Sequence, residues 1–555
     1  MSNREIQKTV ANLVISCLEA EGVEYMFGIP GEENIRLVDA TAGSRIRFIL
    51  TRHEQAAAFM ADIYGRLTGR AGVCTATLGP GAINLALGVA DAQTDSSPLV
   101  AITAQVGLNR IYKESHQIVD VVSMYKPLTK WADMLTTPAA AQEMVRKAFD
   151  VAQSERPGAA YLAIPEDIEA LPAPVEAKPL PERPRHAAGA DPAQVQAAAK
   201  LIRSAKRPII LAGHGTARAG AAKTLTRFSE VTGIPVATTF MGKGVISDRH
   251  PNALGVVGFM RHDFENFAFD KSDLIIAVGY ELQEFAPARI NPNHDTPILH
   301  IHRFAQDTDA AYPVASSIEA EIGLALEALT EEFTARPCNS YPNGAVIRAL
   351  HAKELKSGEN DASFPLKPQR IVNDIRKALG DEDIVLADTG AIKMWMARLY
   401  PAYAPLTCLI SNGLSTMAFA LPGALGAKLA KPKAKVLAAM GDGAFLMNSQ
   451  EIETAVREKI PLIALVWVDN AYGLIKWKMD LEMGHHREVD FGNPDFVKYA
   501  ESFGAKGYQI KAAADLLPTL RRALEHDGVS VIACPVDYSE NLKLTAKLGA
   551  LTDPL

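Results

Sequence analysis

Two short signals lie far apart in the last third of the chain. Gly441-Asp442-Gly443 ends the apolar run KVLAAM, and Asp469-Asn470 ends the apolar run LIALVWV. One helix-like stretch, SQEIETAVREK, separates them. Successive strands of a parallel sheet end at one carboxyl edge, where ligands bind, so the two oxygen-bearing side chains should arrive together. Gly441 and Gly443 let the backbone approach a phosphate. Asp442 and the Asn470 amide oxygen are hard ligands suited to Mg²⁺ or Ca²⁺. An ion with so few protein ligands completes its shell with diphosphate oxygens and water. A GDG alone could mark any strand-to-helix turn. The strand before it, the helix after it and the Asn at the next strand end make the combination specific.

Other candidates are weaker on their own. Glu54 follows the run RIRFIL and opens a helix-like stretch through Thr68. Read alone, it is a first-turn acid complementing the helix dipole, worth ~0.3–1 kcal/mol. Gly79 and Gly81 sit in TLGPGAINLALGVADA, a helix-start turn. His116-Gln117 lies in a polar stretch, and Met417 in ISNGLSTMAFALPGALGAKLA. His300 and His302 alternate on one strand face, and His485-His486 adjoin in a polar loop. Neither pair has a third ligand at zinc spacing, so both read as structural. GHGTARAG at 213–220 lacks the GxGxxG order and reads as an ordinary strand-to-helix turn.

The elements that must position these residues follow from the apolar pattern. A chain of 555 residues favours three or four domains at roughly 100–200 residues each. Two Pro-rich stretches, about 168–190 and about 336–368, read as linkers. Between them, short β-rich runs alternate with helical patterns. The first block has a helix-like Ile6–Glu21, then VEYMFGI, RIRFIL, GVCTATL and LVAIT. The second has PIILAG, PVATT, DLIIAVG and ILHIH, and the third DIVLAD, KVLAAM, LIALVWV and VSVIACP. That alternation predicts an α/β fold of three doubly wound parallel-sheet domains, at 1–170, 190–335 and 365–540.

Composition excludes several classes. Lys plus Arg is 57 against 64 for Asp plus Glu, a net charge of −7. Such a chain has no basic stripe for phosphate backbones, which speaks against a nucleic-acid partner. No apolar run reaches the ~18–20 residues of a membrane span. The start, MSNREIQKTVANLV, lacks a signal-peptide layout. Five scattered cysteines without a CxxC fit a reducing compartment, so a cytoplasmic location is expected.

Taken together, GDG followed by an Asn-ending pair resembles the signature of thiamine-diphosphate enzymes, which usually show two Asn where this chain has Asp469-Asn470. The resemblance extends over nearly the whole chain and is most like acetolactate synthases of the fermentative, flavin-free type. It implies the thiamine-diphosphate-binding fold, with thiamine diphosphate and Mg²⁺ as cofactors. Asp442, Asn470 and the Tyr472 carbonyl would hold the metal, and Gly441, Gly443, Ala444, Gly473 and Leu474 would border the cofactor. RHEQAAAFMA resembles the family's RHE pattern, so Glu54 would be the acid that activates the aminopyrimidine ring. GIPGEENIRLVDA resembles its G-x-P-G turn and places Pro30 at the cofactor, with Gly79 and Gly81 beside the pyrimidine. Gln117 holds the position of a Gln that reaches the cofactor. Met417 would be the apolar wedge bending it, with Ser411, Asn412 and Gly413 nearby.

The implied reaction is decarboxylation of pyruvate and carboligation to 2-acetolactate. Alternatives are a relative acting on another 2-oxoacid, acyl-CoA or aldehyde, and more remotely a noncatalytic or nicotinamide-binding α/β protein. The flavin-binding relatives carry an arginine where this chain has Glu281, which speaks against FAD. That leaves Lys243, Arg261 and Arg289 as candidates for the second-substrate carboxylate. The family builds its sites across subunits, so a homodimer or homotetramer is implied.

Overall fold

The computed structural model describes residues 8–182, 187–259, 263–335 and 344–550. It contains three six-stranded sheets in which every pairing between named strands is parallel. In the first, the spatial order is Arg47–Leu50, Tyr25–Gly28, Gly72–Ala76, Leu99–Gln105, Ala159–Pro165, Trp131–Met134. The third repeats that order with Cys408–Ile410, Ile384–Ala387, Val436–Gly441, Leu462–Val468, Val529–Pro535 and Lys506–Gln509. The central sheet differs. It runs Ala253–Val256, Val236–Thr238, Pro208–Ala212, Leu274–Val278, Ile298–His302, Val314–Glu319. This is the 3-2-1-4-5-6 arrangement of dinucleotide-binding sheets.

Inner strands such as Leu99–Gln105 and Leu274–Val278 are buried along their whole length. That is the pattern of a parallel sheet covered by helices on both faces. Around the central sheet one face packs Val195, Ile210, Phe228 and Leu326, and the other packs Ile209, Phe264, Tyr280 and Tyr312.

Local chemistry sets the helix that carries Glu54. It spans Glu54–Thr68, the span expected from the sequence. Extended His53 caps it, its Nδ1 accepting the Gln55 N–H at 3.1 Å, and Gly69 ends it in the left-handed region at φ 71°. Its alanines allow close approach of the helix Pro80–Thr94: a Cβ on Gly88 would lie 2.5 Å from the Ala58 Cβ.

Two expectations are corrected. The first helix begins at Val10, because Thr9 and Asn12 form a capping box there; residues 1–7 lie outside the described residues. The stretch about 336–368 is more than a linker, since Gly344–Ser357 is a helix. Its Ala, Leu, Lys and Glu residues are strong helix formers, and Ile347 is fully buried. Among the described residues no helix is long and apolar enough to cross a membrane.

Candidate functional site

In the third sheet Gly441 pairs opposite Trp467, so Asp442 and Asp469-Asn470 leave neighbouring strands at one level. Asp442 is buried. Its Oδ1 accepts from the Gly443 N–H at 2.9 Å. Its Oδ2 accepts from the Asn470 N–H at 2.7 Å, the Asp469 N–H at 3.2 Å and the Asn493 amide at 2.8 Å. The same Asn493 amide donates to Asn470 Oδ1 at 2.8 Å. One NH₂ group thus bridges the two side chains expected to hold a metal, placing positive hydrogens between their oxygens. Burial, and then the neighbouring Asp442 charge, push the Asp469 carboxyl up to about 7. Burial also raises Asp442, against the hydrogen bonds it accepts. A buried acid, a part-buried acid beside it and an amide oxygen are a donor set that fits a divalent cation. Among the described residues no three His, Cys, Asp or Glu converge as a metal cluster. An ion here would therefore take further ligands from backbone, diphosphate and water.

A cavity of about 110 Å³ opens beside these groups. Its lining includes Met417, Asp442, Asp469, Tyr472 and Tyr538. Gly441, Gly443, Ala444, Gly473 and Leu474 line it too. A Cβ on Gly441 or Gly390 would meet nothing within 4 Å, so the backbone there is open to a ligand. A Cβ on Gly443 would come within 2.9 Å of the Tyr472 ring. The expected Met417 wedge and the metal residues are thus brought together. Ser411, Asn412 and Gly413 are not in this lining. Ser411 Oγ accepts the Thr416 N–H at 3.0 Å, and the Asn412 amide donates to the Glu284 carbonyl at 2.7 Å.

Asp388, which the sequence reading passed over, organises the Met417 loop. Its carboxylate accepts the N–H groups of Thr389, Ala418 and Ala420 at 2.8, 2.9 and 2.9 Å. Ala418 is held at φ 71°, a conformation disfavoured for a residue with a Cβ, so these bonds offset strain next to Met417. Lys393 adds bonds to the Ser411 carbonyl and the Ser415 hydroxyl, each 2.9 Å. An acid at a strand end before Gly390 was the available signal, the same pattern as at Asp442. Asp388→Ala strands buried donors, at about 1–3 kcal/mol each. The expected outcome is a lower thermal midpoint and about tenfold weaker thiamine-diphosphate binding, read by differential scanning fluorimetry and cofactor titration.

The first sheet gathers the other candidates at its carboxyl edge. Glu54 Oε2 accepts the Asn84 amide at 3.0 Å. A Cβ on Gly81 would lie 3.3 Å from Glu54 Oε1 and 2.9 Å from the Thr77 side chain. A Cβ on Gly31, just after Pro30, would lie 2.4 Å from the same Thr77 side chain. Gly79, at φ 47°, would strike the Gln117 carbonyl at 2.6 Å. Glu54, Gly81 and the turn after Pro30 thus meet around Thr77, and Gly79 adjoins Gln117. The turn leading into Glu54 is fixed by Glu451, whose buried carboxylate accepts the Arg52 and His53 N–H groups at 3.0 Å each. Neither Asn84 nor Glu451 carried a sequence signal beyond its helix.

In the central sheet the crevice at the strand-order reversal is filled from within. Both oxygens of the buried Glu284 take the His214 N–H, at 3.1 and 3.2 Å, and Oε1 takes the Glu281 N–H at 3.1 Å. Thr239 Oγ1 bonds the same carboxylate. A Cβ on Gly213 would stand 2.5 Å from Glu284 Oε1. Glu281 is buried too, paired with Arg218 at 2.7 Å. His300 bonds the Tyr312 hydroxyl and the Phe304 carbonyl, and His486 bonds Asp480, as expected of structural histidines. Arg289 donates to the Gly258 and Phe259 carbonyls at 2.8 and 2.7 Å. Lys243 lines a different cavity, and Arg261 lies outside the described residues.

Burial raises several of these acids: Asp388, Glu451 and Asp469 to about 7, and Glu284 to about 8. A carboxyl raised in the native state stabilises it fully below its unfolded pKa. That contribution is lost as pH rises through the native value. The cofactor-free protein should therefore lose thermal midpoint steadily from about pH 5 to about pH 8.5. A midpoint that climbs across this window would contradict the assignment.

Family models match the chain in three consecutive parts. The N-terminal TPP binding domain of thiamine pyrophosphate enzymes matches residues 8–124, the central domain 195–329 and the C-terminal TPP binding domain 388–534. The acetolactate synthase of Bacillus subtilis is 34% identical over 97% of this chain and 94% of its own length. The catabolic acetolactate synthase of Raoultella terrigena is 36% identical over 97% of each. The probable acetolactate synthase large subunit of Methanocaldococcus jannaschii is 36% identical over 98% of this chain and 94% of its own length.

Proposed function

The chain belongs to the thiamine pyrophosphate enzymes, and from that premise we propose that it is an acetolactate synthase of the flavin-free, fermentative kind. It decarboxylates one pyruvate and joins the remaining two-carbon unit to a second, giving 2-acetolactate and CO₂. What supports the reading is that one chain carries both the turn that holds Asp442 against Asn470 and, separately in its first sheet, the helix-start turn that bears Glu54. Full-length similarity to acetolactate synthases supports the substrate.

When bound, thiamine diphosphate supplies a carbon nucleophile that also accepts the electrons released on decarboxylation. The protein's part is to bind, orient and hold protons. Asp442, Asn470 and the Tyr472 carbonyl would hold Mg²⁺, and Gly441 and Gly443 would admit the diphosphate. Met417, which lines the cavity, would offer the rings an apolar surface, an orientation effect on the barrier. Glu54 would hydrogen-bond the pyrimidine nitrogen, with Asn84 steadying one of its oxygens. Pro30, Gly79 and Gly81 would border the ring, and Gln117, which adjoins Gly79, would reach it.

FAD is not a cofactor in this reading. The N–H of His214, where a dinucleotide phosphate would dock, already bonds the internal carboxylate of Glu284. The enzyme acts in the cytoplasm on a small 2-oxoacid. It assembles as a homodimer or homotetramer with sites completed across subunits. Mixing Glu54→Ala with Asp442→Ala chains should then restore activity in hybrids, whereas verified hybrids without activity would place the site within one chain. The function itself is tested with purified protein, pyruvate, Mg²⁺ and thiamine diphosphate. Acetoin after acid treatment is the expected product. Bound cofactor with pyruvate untouched would redirect the reading to another 2-oxoacid, acyl-CoA or aldehyde, and absent cofactor binding would refute it.

A further inference from the structure

A second cavity, about 190 Å³, lies in the same compact unit as the metal-diphosphate pocket. One helix, Ala391–Leu399, joins the two: Ala391 and Ile392 line the first, Arg398 and Leu399 the second. Ile392 and Arg398 are six residues apart along it, about 9 Å at ~1.5 Å per residue. They are separate sites.

The second cavity is rich in cations that are unequally neutralised. Arg398 is fully committed, to Asp263 at 2.6 and 2.9 Å and to Glu354 at 2.6 and 3.0 Å. Arg249 pairs with Asp381 and lies 3.5 Å over the Tyr403 ring. His351 meets the buried Glu265. Lys243 differs. It is 4% exposed, and among the described residues its one carboxylate neighbour is Asp248 at 3.9 Å, beyond hydrogen-bond reach. That same Asp248 oxygen already accepts the Ala402 N–H at 2.8 Å. Arg348 lines the cavity with no ion pair among the described residues. A buried ammonium without a close partner is costly, and proteins retain one where an anion answers it.

Beside Asp248, Tyr400 and Tyr403, the rest of the wall includes the apolar Ala253, Leu254, Ala352, Leu355, Leu399 and Pro401. We propose that this cavity binds a small organic carboxylate, its head on Lys243 and Arg348 and its hydrocarbon body against Leu254, Leu355 and Leu399. A compact multivalent anion such as phosphate fits less well. It would leave the apolar wall unused and bring a second negative charge to a cavity that Asp248 also lines.

The test is isothermal titration of the full-length, cofactor-loaded protein with 3-methylbutanoate, its neutral amide and inorganic phosphate. One saturable site per chain for the carboxylate is expected, with the amide silent. Lys243→Met and Arg348→Met should each weaken binding about tenfold or more, since a charge-assisted hydrogen bond contributes ~1.5–3 kcal/mol. Arg348 is half-exposed on the helix Gly344–Ser357, so its variant should fold even if the Lys243 variant does not. Binding should persist in Asp442→Ala, which keeps this result independent of the cofactor pocket and of the proposed reaction. Three outcomes would overturn the proposal: no saturable binding, phosphate bound in place of the carboxylate, or a site lost in Asp442→Ala yet kept in both cation variants.

Discussion

An Asp442→Ala chain should keep its secondary structure and lose thiamine-diphosphate binding by about 100-fold or more. Even the partners that merely orient metal ligands cost ~10–100-fold when removed. Asp442 does more than that. It would carry charge to the ion, and it accepts the backbone N–H groups of Gly443, Asp469 and Asn470 together with the Asn493 amide. Alanine removes the anion and leaves four donors at the turn without it. Asp442→Asn separates the two roles, because an amide keeps one oxygen for the turn but gives up the charge. If charge dominates, both variants bind cofactor equally poorly and a chelator reproduces the defect in the wild type. Cofactor titration by tryptophan fluorescence, with circular dichroism as the folding control, reads the result. Near-normal binding in either variant would remove the metal from this edge of the sheet.

The second large effect is at Glu54. Glu54→Gln should lower kcat by about 10²–10⁴-fold, the range for a lost acid–base group, while cofactor affinity changes only severalfold. The substitution preserves shape, and the glutamine oxygen still accepts the Asn84 amide as Oε2 does now. The Glu451 bonds to the Arg52 and His53 N–H groups stay intact, so the turn should not move. A helix-dipole role alone predicts something else: about 0.3–1 kcal/mol of stability lost and turnover unchanged. Steady-state kinetics with saturating cofactor, beside thermal unfolding of the same variant, distinguishes the two.

Much of this was legible because parallel strands announce themselves. Runs such as LIALVWV and DLIIAVG are buried on both faces, so an uninterrupted apolar stretch bounded by Gly or Asp marks an inner strand and its ligand-bearing end. Edge strands carry no such mark. Val314–Glu319 and Lys506–Gln509 are largely exposed, and Cys408–Ile410 is three residues long. Ala159–Pro165 is an inner strand, yet its alanines blur the pattern. The helix Gly344–Ser357 hid between prolines whose loop signal dominated the reading.

The site shows the same division. Asp442, Asn470, Met417 and Glu54 sit in motifs with local spacing. Asp388, Glu451 and Asn493 act through backbone N–H groups or amides brought near by folding. Asn493 is 51 positions beyond the Asp442 oxygen it bonds, and no local pattern encodes that meeting. Glu284 was unreadable for a different reason. Its importance lies in filling a crevice that only the strand order of the central sheet defines.

The central claim is that one coenzyme is anchored at its diphosphate through Asp442 and activated at its ring by Glu54. Hydrogen–deuterium exchange at the thiazolium carbon of the bound cofactor, followed by acid quench and NMR, tests it most directly. With cofactor saturating in both proteins, the account predicts exchange about 10²–10⁴-fold slower in Glu54→Gln than in wild type. Equal exchange rates in the two proteins would contradict it.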